Sequence, residues 1–318
     1  MSSKSEEQLR KDVQFFEYTK AANPVSSGTI SVVPFCEFLS HLHEEGPTRI
    51  IPFDLSKELV CDGPASSPNL SANFIRIEIG KEIRTSVNAT SELFFVIRGY
   101  GTTTRAGTTI EWNKGDFFVL PGGADSVHNA SSDAAFYWVN DEPLLKYLGV
   151  KADVERFSPT LYKAEECVRE LSKVAADPAS HDRNRVSILL GNKNFPQTMT
   201  VTHTLWAMFG LLPKHSVQPP HRHNSVALDL VLDCKPGCYS LISRHIDKEG
   251  NLINPVRQDW KPNSAFITPP YFWHSHHNES GQDARVIPIQ DAGLQTYMRT
   301  LNIEFANPVA KARGVTKV

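Results

Sequence analysis

The sequence lacks a surplus of charge of either sign and has no long apolar run. Among its 318 residues, lysine and arginine number 33, and aspartate and glutamate number 35. A protein that binds a nucleic-acid backbone needs excess positive charge, so we expect no nucleic-acid partner. No stretch approaches the roughly 18 apolar residues of a membrane-spanning helix, and the N-terminal MSSKSEEQLRKDVQFFEY holds no apolar signal core. We therefore expect no membrane partner and a cytoplasmic location.

Cysteine is also scarce. The five cysteines are odd in number and scattered along the chain, at Cys36, Cys61, Cys167, Cys234 and Cys238. A disulfide-stapled secreted domain has an even number at closer spacing, so free thiols in a reducing compartment are the better interpretation. With 40% apolar residues, the chain can form an ordinary hydrophobic core without such a framework.

What the sequence does contain is a long internal repeat. Trp112–Pro121 reads WNKGDFFVLP and Trp260–Pro269 reads WKPNSAFITP, and the two share the tryptophan, an internal phenylalanine and the final proline. An Asp-Ala pair follows in each half, beginning at Asp133 and at Asp283, again about 150 residues apart. Self-similarity at a long period indicates duplicated structural units, so we predict two copies of one fold.

Each copy has the pattern of short β-strands. Runs such as ELFFVIRGYGTT and SVALDLVL are rich in β-branched and aromatic residues and end at Gly, Pro, Asn or Asp. Helical spacing is confined to Glu6–Ala22, residues 34–45 and residues 162–175. We predict an all-β protein with a helical N-terminal arm (1–48), a first sandwich or barrel (49–161), a helical connector (162–199) and a second sandwich or barrel with the C-terminal tail (200–318).

Histidine is concentrated in one part of the second half. Eight of the twelve histidines lie between His203 and His277. In QPPHRHNSVALDL, His221 and His223 stand two apart, so in a strand their imidazoles point the same way and can converge on one ion. His274, in PPYFWHSHHNES, is the candidate third ligand. Three neutral imidazoles bind iron, copper, zinc, nickel or manganese and leave positions open for a substrate or oxygen.

Two interpretations compete with this ligand set. His276 lies on the same face as His274 in a regular strand, so it is either a ligand or a neighbour that contacts the ligands. Alternatively, His221 and His223 are only polar residues beside a diproline turn, and no metal binds.

These motifs are similar to those of the cupin superfamily. Cupin barrels carry H-x-H, then three or four residues and a Glu, and later P-x-G-x-x-H-x-x-x-N. The residues that match are His221, His223, Pro270, His274 and Asn278. Ala227 stands at the place of the glutamate, with Leu228 after it. The resemblance implies a jelly-roll barrel whose metal is held by three histidines without a carboxylate, which leaves a divalent ion more Lewis acidity.

The segments PPHRH and WHSHHN resemble one group of cupins in particular, the gentisate and salicylate dioxygenases, which open aromatic rings. This resemblance covers about Arg49–Phe305. It implies two tandem cupin barrels, three histidines that hold ferrous iron, a substrate that chelates the metal through carboxylate and hydroxyl groups, and O2 as co-substrate. The chain differs from the group because its histidine motif lies in the second barrel, and because Ser275, His276 and His277 stand where the group tends to have Asp, His and Gly.

The first half keeps only part of the same motif. Glu92 remains, with Gly99 seven residues later, and His128 follows Pro121. The places of the H-x-H pair hold two short polar residues, Ser86 and Asn88. One histidine and one carboxylate rarely hold a transition metal alone, so we expect the first barrel to be free of metal.

The leading hypothesis is a mononuclear-metal dioxygenase that acts on a small aromatic or carboxylate-bearing substrate. Fe(II) is the favoured metal, with Cu, Mn, Ni and Zn as alternatives. Arg244, Gln218 and His276 are the candidates for contact with the substrate. We choose Arg244 over Arg222 to pair a substrate carboxylate, because Arg222 alternates with the ligands and must face outward if they face inward.

Two other functions and one assembly state complete the expectations. The same ligands suit a metal-dependent hydrolase, isomerase or decarboxylase, in which the metal acts as a Lewis acid without oxygen. A non-catalytic binding module, with relic histidines, is the other alternative. We also expect a homo-oligomer, in which the N-terminal arm packs on a neighbouring subunit.

Overall fold

The computed structural model describes residues 5–306, apart from the side chains of residues 181 and 182. The chain divides into two compact units, Met1–Val32 and Val33–Val318. The described part of the first unit has two short helices, α1 (Glu6–Arg10) and α2 (Tyr18–Ala21). The single helix predicted over Glu6–Ala22 is therefore wrong in extent. Glu17 accepts hydrogen bonds from two backbone amides of α2, so the chain starts a new helix there.

The second unit begins with the elements of the first half of the sequence. In chain order they are β1 (Cys36–Phe38), α3 (His41–Glu44), β2 (Arg49–Pro52), α4 (Ser56–Leu59), β3 (Ser71–Ile77), β4 (Glu82–Thr85), β5 (Ser91–Arg98), β6 (Tyr100–Arg105), β7 (Thr108–Asn113), β8 (Phe117–Pro121), β9 (Ser126–Ala130), β10 (Ala134–Asn140) and α5 (Glu142–Leu148).

The second half follows with a connector and a second set of strands. They are β11 (Thr160–Tyr162), α6 (Ala164–Ala176), a 3-10 turn (Pro178–Asp182), β12 (Val186–Leu189), β13 (Trp206–Leu212), β14 (Ser216–His223), β15 (Ala227–Asp233), β16 (Cys238–Ser243), β17 (His245–Ile246), β18 (Leu252–Ile253), β19 (Val256–Asp259), β20 (Ala265–Thr268), β21 (Trp273–Asn278), β22 (Ala284–Gln290), α7 (Ala292–Tyr297) and β23 (Ile303–Phe305).

Each barrel consists of a large sheet and a small sheet whose strands follow the same order. The first barrel has β11-β8-β5-β10-β3-β2 and β4-β9-β6-β7, and the second has β1-β20-β15-β22-β13-β12 and β19-β16-β21-β14-β23. The central ladders are antiparallel in both. Strands β8, β5, β10 and β3 therefore occupy the places of β20, β15, β22 and β13. The predicted all-β fold of two tandem jelly-roll barrels is confirmed.

Apolar side chains fill three regions. The outer faces of the two large sheets share one core, with Phe95 and Tyr137 from the first barrel and Leu228 and Ile287 from the second. The interior of the first barrel is filled mainly by Phe94, Phe118, Phe136, Trp112 and Trp138. The interior of the second barrel holds a smaller cluster that includes Leu212, Val231, Trp260 and Phe266. Each fully buried side chain of this kind contributes roughly 1.5–3 kcal/mol.

Of the two other predicted helices, one is confirmed and one is wrong. The connector helix predicted over residues 162–175 is confirmed as α6, which buries Cys167 and Leu171. The helix predicted over residues 34–45 is wrong, because strand β1 pairs with β20 of the second barrel and only the single turn α3 is helical. All five cysteines are unpaired, as expected. Within residues 5–306, no helix combines the length and apolarity needed to cross a membrane.

Candidate metal centre

The candidate ligands lie on two neighbouring strands of the small sheet in the second barrel. Strands β14 and β21 are antiparallel, and their register places His221 directly opposite His274. Because side chains alternate along a strand, His223 shares the face of His221, and His276 shares that of His274. Between 2% and 4% of each of these residues is exposed. The structure therefore brings the three predicted ligands together in a buried interior, with His276 beside them.

A β-bulge next to these residues turns Gln218 toward the same interior. The strand register shifts between Gln218 and His221, where Pro219 and Pro220 lack the amide hydrogens of a regular ladder. Gln218 is buried, and its Nε2 lies 3.3 Å from Nε2 of His221. The same amide donates to Oδ1 of Asn184 at 3.0 Å. The predicted site residue Gln218 thus contacts the histidine cluster.

The four imidazoles form one compact cluster. The ring centroids of His221 and His274 are 4.1 Å apart, and those of His223 and His274 are 4.9 Å apart. The ring of His276 lies 5.7 Å from that of His274 and 6.1 Å from that of His221. One potential ligand atom from each of His221, His274 and His276 lies within 4.8 Å of the others. Distance alone therefore favours a triplet that includes His276 rather than His223.

Hydrogen bonds at Nδ1 separate these four histidines into two kinds. Nδ1 of His221 lies 3.2 Å from the carbonyl oxygen of Pro219. Nδ1 of His223 lies 2.8 Å from the carbonyl oxygen of Ser225, and Nδ1 of His274 lies 2.9 Å from that of Phe272. A carbonyl only accepts, so these three rings carry their proton at Nδ1 and leave a lone pair on Nε2. This is how metal-binding histidines are usually oriented.

His276 has a different partner, because its Nδ1 lies 2.7 Å from the hydroxyl oxygen of Ser240. That hydroxyl also accepts a hydrogen bond from Nε1 of Trp260 at 2.8 Å. A hydroxyl can either donate or accept, so His276 can place its proton on either nitrogen. With the proton on Nε2, His276 donates a hydrogen bond into the interior instead of binding a metal.

Burial keeps all four imidazoles in the neutral form. It lowers the pKa of His221, His274 and His276 well below the usual value, and neighbouring imidazoles lower it further. The pKa of His223 is lowered to about 4, again mainly by burial. Neutral imidazole is the form that binds metals, so the cluster is ready to bind at neutral pH without releasing protons.

Arg244 does not contribute to this interior. It is exposed, and its guanidinium lies over the ring of Phe272, 5.3 Å from the centroid. Strand β16 ends at Ser243, whose hydroxyl bonds to the carbonyl oxygens of His245 and Ile253, so the alternation of faces stops there. The expectation that Arg244 points inward is therefore wrong.

Arg185, which was not predicted from the sequence, is the arginine that lies beside the interior. It precedes β12, is partly buried, and donates from Nη1 to Sδ of Met208 at 3.3 Å. Its positive charge contributes to the lowered pKa of all four clustered histidines. No sequence motif marks this residue, since it stands alone between the connector and an ordinary strand.

Strand β15 lines the same interior with Ala227 and Asp229. Ala227 is buried opposite Thr268 and Gln290, so this position supplies no carboxylate. Asp229 is 2% exposed and accepts a hydrogen bond from the hydroxyl of Thr268 at 2.8 Å. Burial raises the pKa of Asp229 to about 6, although Thr268 and Arg185 oppose the shift. The interior of the second barrel thus holds a buried acid in addition to its histidines.

Comparison with known proteins supports the resemblance found in the sequence. No family model matches the chain. A 5-aminosalicylate 1,2-dioxygenase of Comamonas sp. is 35% identical over 121 residues, which are 34% of this chain and 32% of that protein. Gentisate 1,2-dioxygenase 1 of Aquipseudomonas alcaligenes is 28% identical over 123 residues, 39% of this chain and 32% of that protein. The matches thus span about a third of each curated relative.

The solved structures extend the likeness to nearly the whole fold. A salicylate 1,2-dioxygenase of Pseudoaminobacter salicylatoxidans, solved as a point variant with gentisate, has a TM-score of 0.67 to this chain. The superposition covers 86% of both chains at 13% sequence identity. At this identity the likeness establishes the fold alone, a pair of jelly-roll barrels. The resemblance to the gentisate and salicylate dioxygenase group is therefore confirmed for sequence segments and for architecture.

Proposed function

We propose that the protein is a cupin-type ring-cleaving dioxygenase that acts on a hydroxybenzoate. The observation that carries the proposal is the buried cluster of four neutral histidines, three of which have their Nε2 lone pairs fixed by backbone carbonyls. The relatives named for 5-aminosalicylate, gentisate and salicylate support the same substrate class. A small molecule with a carboxylate and a neighbouring hydroxyl, together with O2, would be the substrates.

We propose His221, His223 and His274 as the metal ligands, and Fe(II) as the metal. In each of these three residues a backbone carbonyl fixes the proton on Nδ1, which favours them over the more compact triplet of His221, His274 and His276. The partner of His276 is a hydroxyl that can also donate, so its tautomer is not fixed. Copper, manganese, nickel and zinc suit the same nitrogen ligands. Iron in this position would bind the chelating substrate and dioxygen side by side and would relay electrons from the substrate to dioxygen, returning to Fe(II) at the end of the cycle.

The residues around the cluster would bind and orient the substrate. Arg185 would pair its carboxylate, since a guanidinium donates two parallel hydrogen bonds to such a group. His276 would donate from Nε2 to a substrate oxygen. Gln218, whose amide lies 3.3 Å from the Nε2 of His221 that the metal would take, would then be free to donate to the substrate as well. Trp206, whose buried Nε1 has no hydrogen-bond partner among the described residues, and Met208 would form a wall that excludes water.

Oxygen uptake tests the proposal directly. The protein is reconstituted with ferrous ion under anaerobic conditions and then mixed with O2 and salicylate, gentisate or 5-aminosalicylate. We expect one O2 consumed per substrate opened, and none in His223→Ala. Conversion of a substrate without O2 consumption would instead favour a hydrolase, isomerase or decarboxylase. Stoichiometric iron with no conversion of any aromatic carboxylate would favour a binding module.

Location and assembly remain predictions. The unpaired cysteines fit a reducing compartment such as the cytoplasm. In the described part of the arm, several large apolar side chains are exposed, at Leu9, Val13, Phe15, Phe16 and Tyr18. Such a surface fits packing on another subunit, as in the expected homo-oligomer.

A further inference from the structure

Asp229 is a buried carboxylate that the fold itself does not require. Along β15, Leu228 and Leu230 face the core between the barrels, whereas Val231 belongs to the cluster inside the second barrel. Alternation therefore turns Asp229, with Ala227, into the barrel interior. Burying a carboxylate is costly unless it gains compensating partners, so its presence there calls for a functional explanation.

The first barrel shows what the same position holds when only packing matters. Asp229 stands two residues after Ala227, and Phe94 stands two residues after Glu92, at the corresponding place on β5. The ring of Phe94 stacks on Phe118 at 4.7 Å. An apolar residue thus fills the interior of the first barrel at this position, and in the second barrel an acid stands in place of that core residue.

The carboxylate of Asp229 is only partly satisfied by the protein. Oδ2 accepts the hydrogen bond from Thr268, and Oδ1 accepts none from the residues described here. Arg185 and Asp229 shift each other's pKa, yet no ion pair within 4.0 Å joins their side chains in residues 5–306. The guanidinium of Arg185 instead reaches Sδ of Met208 at 3.3 Å, so the two opposite charges are not paired with each other and both are available to a ligand.

The chemistry of these two groups defines the ligand that fits between them. A guanidinium only donates hydrogen bonds and a carboxylate only accepts them. A substrate with a carboxylate for Arg185 and an N–H or O–H for Asp229 leaves neither group unpaired. A ring without such a donor leaves a buried carboxylate oxygen unsatisfied, and sites built on a polar contact reject ligands that lack it.

We propose that Asp229 is a specificity-determining residue that selects hydroxybenzoates with an additional hydrogen-bond donor on the ring, an amino or hydroxyl group. This inference rests on the proposed function, because it takes a hydroxybenzoate in the second barrel as given. It adds the class of ring substituent that the site accepts and the residue that recognises it.

Anaerobic binding tests the inference without requiring turnover. Dissociation constants are measured by calorimetry on the iron-reconstituted full chain for salicylate and for its amino, hydroxyl and methoxy derivatives at each ring position. The native protein should bind at least one amino or hydroxyl derivative tenfold or more tighter than the methoxy derivative of the same position. Asp229→Leu should abolish that ratio, mainly by weakening binding of the donor-bearing ligand.

Two further variants keep the result interpretable. Asp229→Asn preserves shape and one acceptor oxygen, so it should fold normally and reduce the ratio less than Asp229→Leu does. Asp233→Asn, on the same strand but paired with Arg285 outside the site, should leave the ratio unchanged. Native binding with no preference for donors, or a preference that survives Asp229→Leu, overturns the inference.

The outcomes also separate this inference from the proposed function. A donor preference that depends on Asp229, without any O2 consumption, supports the inference and contradicts the dioxygenase. Turnover of hydroxybenzoates with a ratio insensitive to Asp229 does the reverse. Absence of binding by every derivative overturns both.

Discussion

The two barrels share a strand order but differ in what fills them. In the first, the ring of Phe94 stacks on Phe118 at 4.7 Å and on Trp138 at 5.7 Å, so aromatic side chains occupy the interior. In the second, the corresponding interior holds four histidines, Arg185 and Asp229. The comparison shows that the same jelly-roll fold accommodates either content, and that the two barrels differ at a few inward positions.

One hydrogen-bonded chain is common to both barrels and reveals which residues correspond. Nε1 of Trp112 donates to Thr103, whose hydroxyl lies 2.8 Å from Nδ1 of His128. Trp260, Ser240 and His276 repeat this arrangement in the second barrel. His276 is thus the counterpart of His128, so a histidine at this position is common to both barrels and is not specific to the metal centre. This correspondence supports the proposal that His276 is a neighbour of the ligands rather than a ligand.

The register of the small sheets identifies the remaining counterparts. Thr85 lies opposite Ser126 in the first barrel, as His221 lies opposite His274 in the second. The counterpart of His221 is therefore Thr85, and the expectation of Ser86 at that place is wrong by one residue. His128 donates to or accepts from Thr85 through Nε2 at 3.0 Å, so both of its nitrogens are occupied. In the first barrel, residues with hydroxyl groups occupy the positions that histidines occupy in the second.

The largest expected effect on stability is acid destabilisation of the metal-free protein, with four of the five responsible histidines in the second barrel and His128 in the first. The four histidines of the second barrel, and His128 at a pKa of about 3, titrate lower in the folded state than in the unfolded chain. The folded protein then binds fewer protons, so stability that is present above about pH 6.5 is lost as the pH falls. Each histidine contributes up to about 1.4 kcal/mol per pH unit.

Urea unfolding of the chelator-treated protein between pH 6.5 and 4.5 measures this loss. We expect His128→Leu to reduce the slope by about one histidine of five, and a four-histidine variant of the second barrel to remove most of it. A free energy of unfolding that is flat over this interval would contradict the expectation.

Glu92 of the first barrel should contribute the opposite pH dependence. Burial raises its pKa from 4.5 to about 8, although Arg105 and Trp138 stabilise the charged form. The folded state keeps a proton that the unfolded chain releases above about pH 4.5, so stability falls as the pH rises toward 8, by up to about 1.4 kcal/mol per unit. Glu92→Gln should remove this fall between pH 5 and 8 in thermal unfolding, and an unchanged slope would be evidence against it.

A smaller effect distinguishes Arg185, which we propose for the carboxylate, from Arg244, which the sequence predicted and the structure leaves exposed. A charge-assisted hydrogen bond contributes roughly 1.5–3 kcal/mol, so Arg185→Gln should raise KM for a hydroxybenzoate by about tenfold to 100-fold. Arg244→Gln, at the exposed position, should change KM less than twofold. Steady-state oxygen uptake gives both values, and equal effects from the two variants would show that Arg185 does not bind the substrate.

The smallest predicted effect concerns the tryptophans of the shared chain. Trp112→Phe and Trp260→Phe each remove one buried hydrogen bond, which is worth about 1 kcal/mol in thermal unfolding. Only Trp260→Phe should also lower kcat, because it releases Ser240 and thereby the orientation of His276. If the two variants reduce kcat equally, the shared chain has no special role in the second barrel.

Much of the fold and part of the site could be predicted from the sequence. The repeat and the short strands predicted two barrels. The spacing of His221, His223 and His274 predicted that these residues meet in one barrel interior. Asp229 escaped prediction because β15 is buried on both faces, so apolar alternation does not tell the interior from the interface.

The two arginines escaped for different reasons. Arg185 enters the site from a segment before β12 that belongs to no motif, and only tertiary packing places it there. Arg244 lies just beyond the last regular residue of β16, where strand periodicity no longer applies. Local pattern therefore identified residues within regular strands and failed where strands end.

Metal content tests the central claim most directly, that the second barrel and not the first holds the metal. Native protein, His223→Ala and His128→Ala are reconstituted with ferrous ion under anaerobic conditions, desalted and assayed for iron, with folding checked by thermal unfolding. We predict near-stoichiometric iron in the native protein and in His128→Ala, and its loss in His223→Ala. Equal iron in all three, or loss in His128→Ala alone, would contradict the claim.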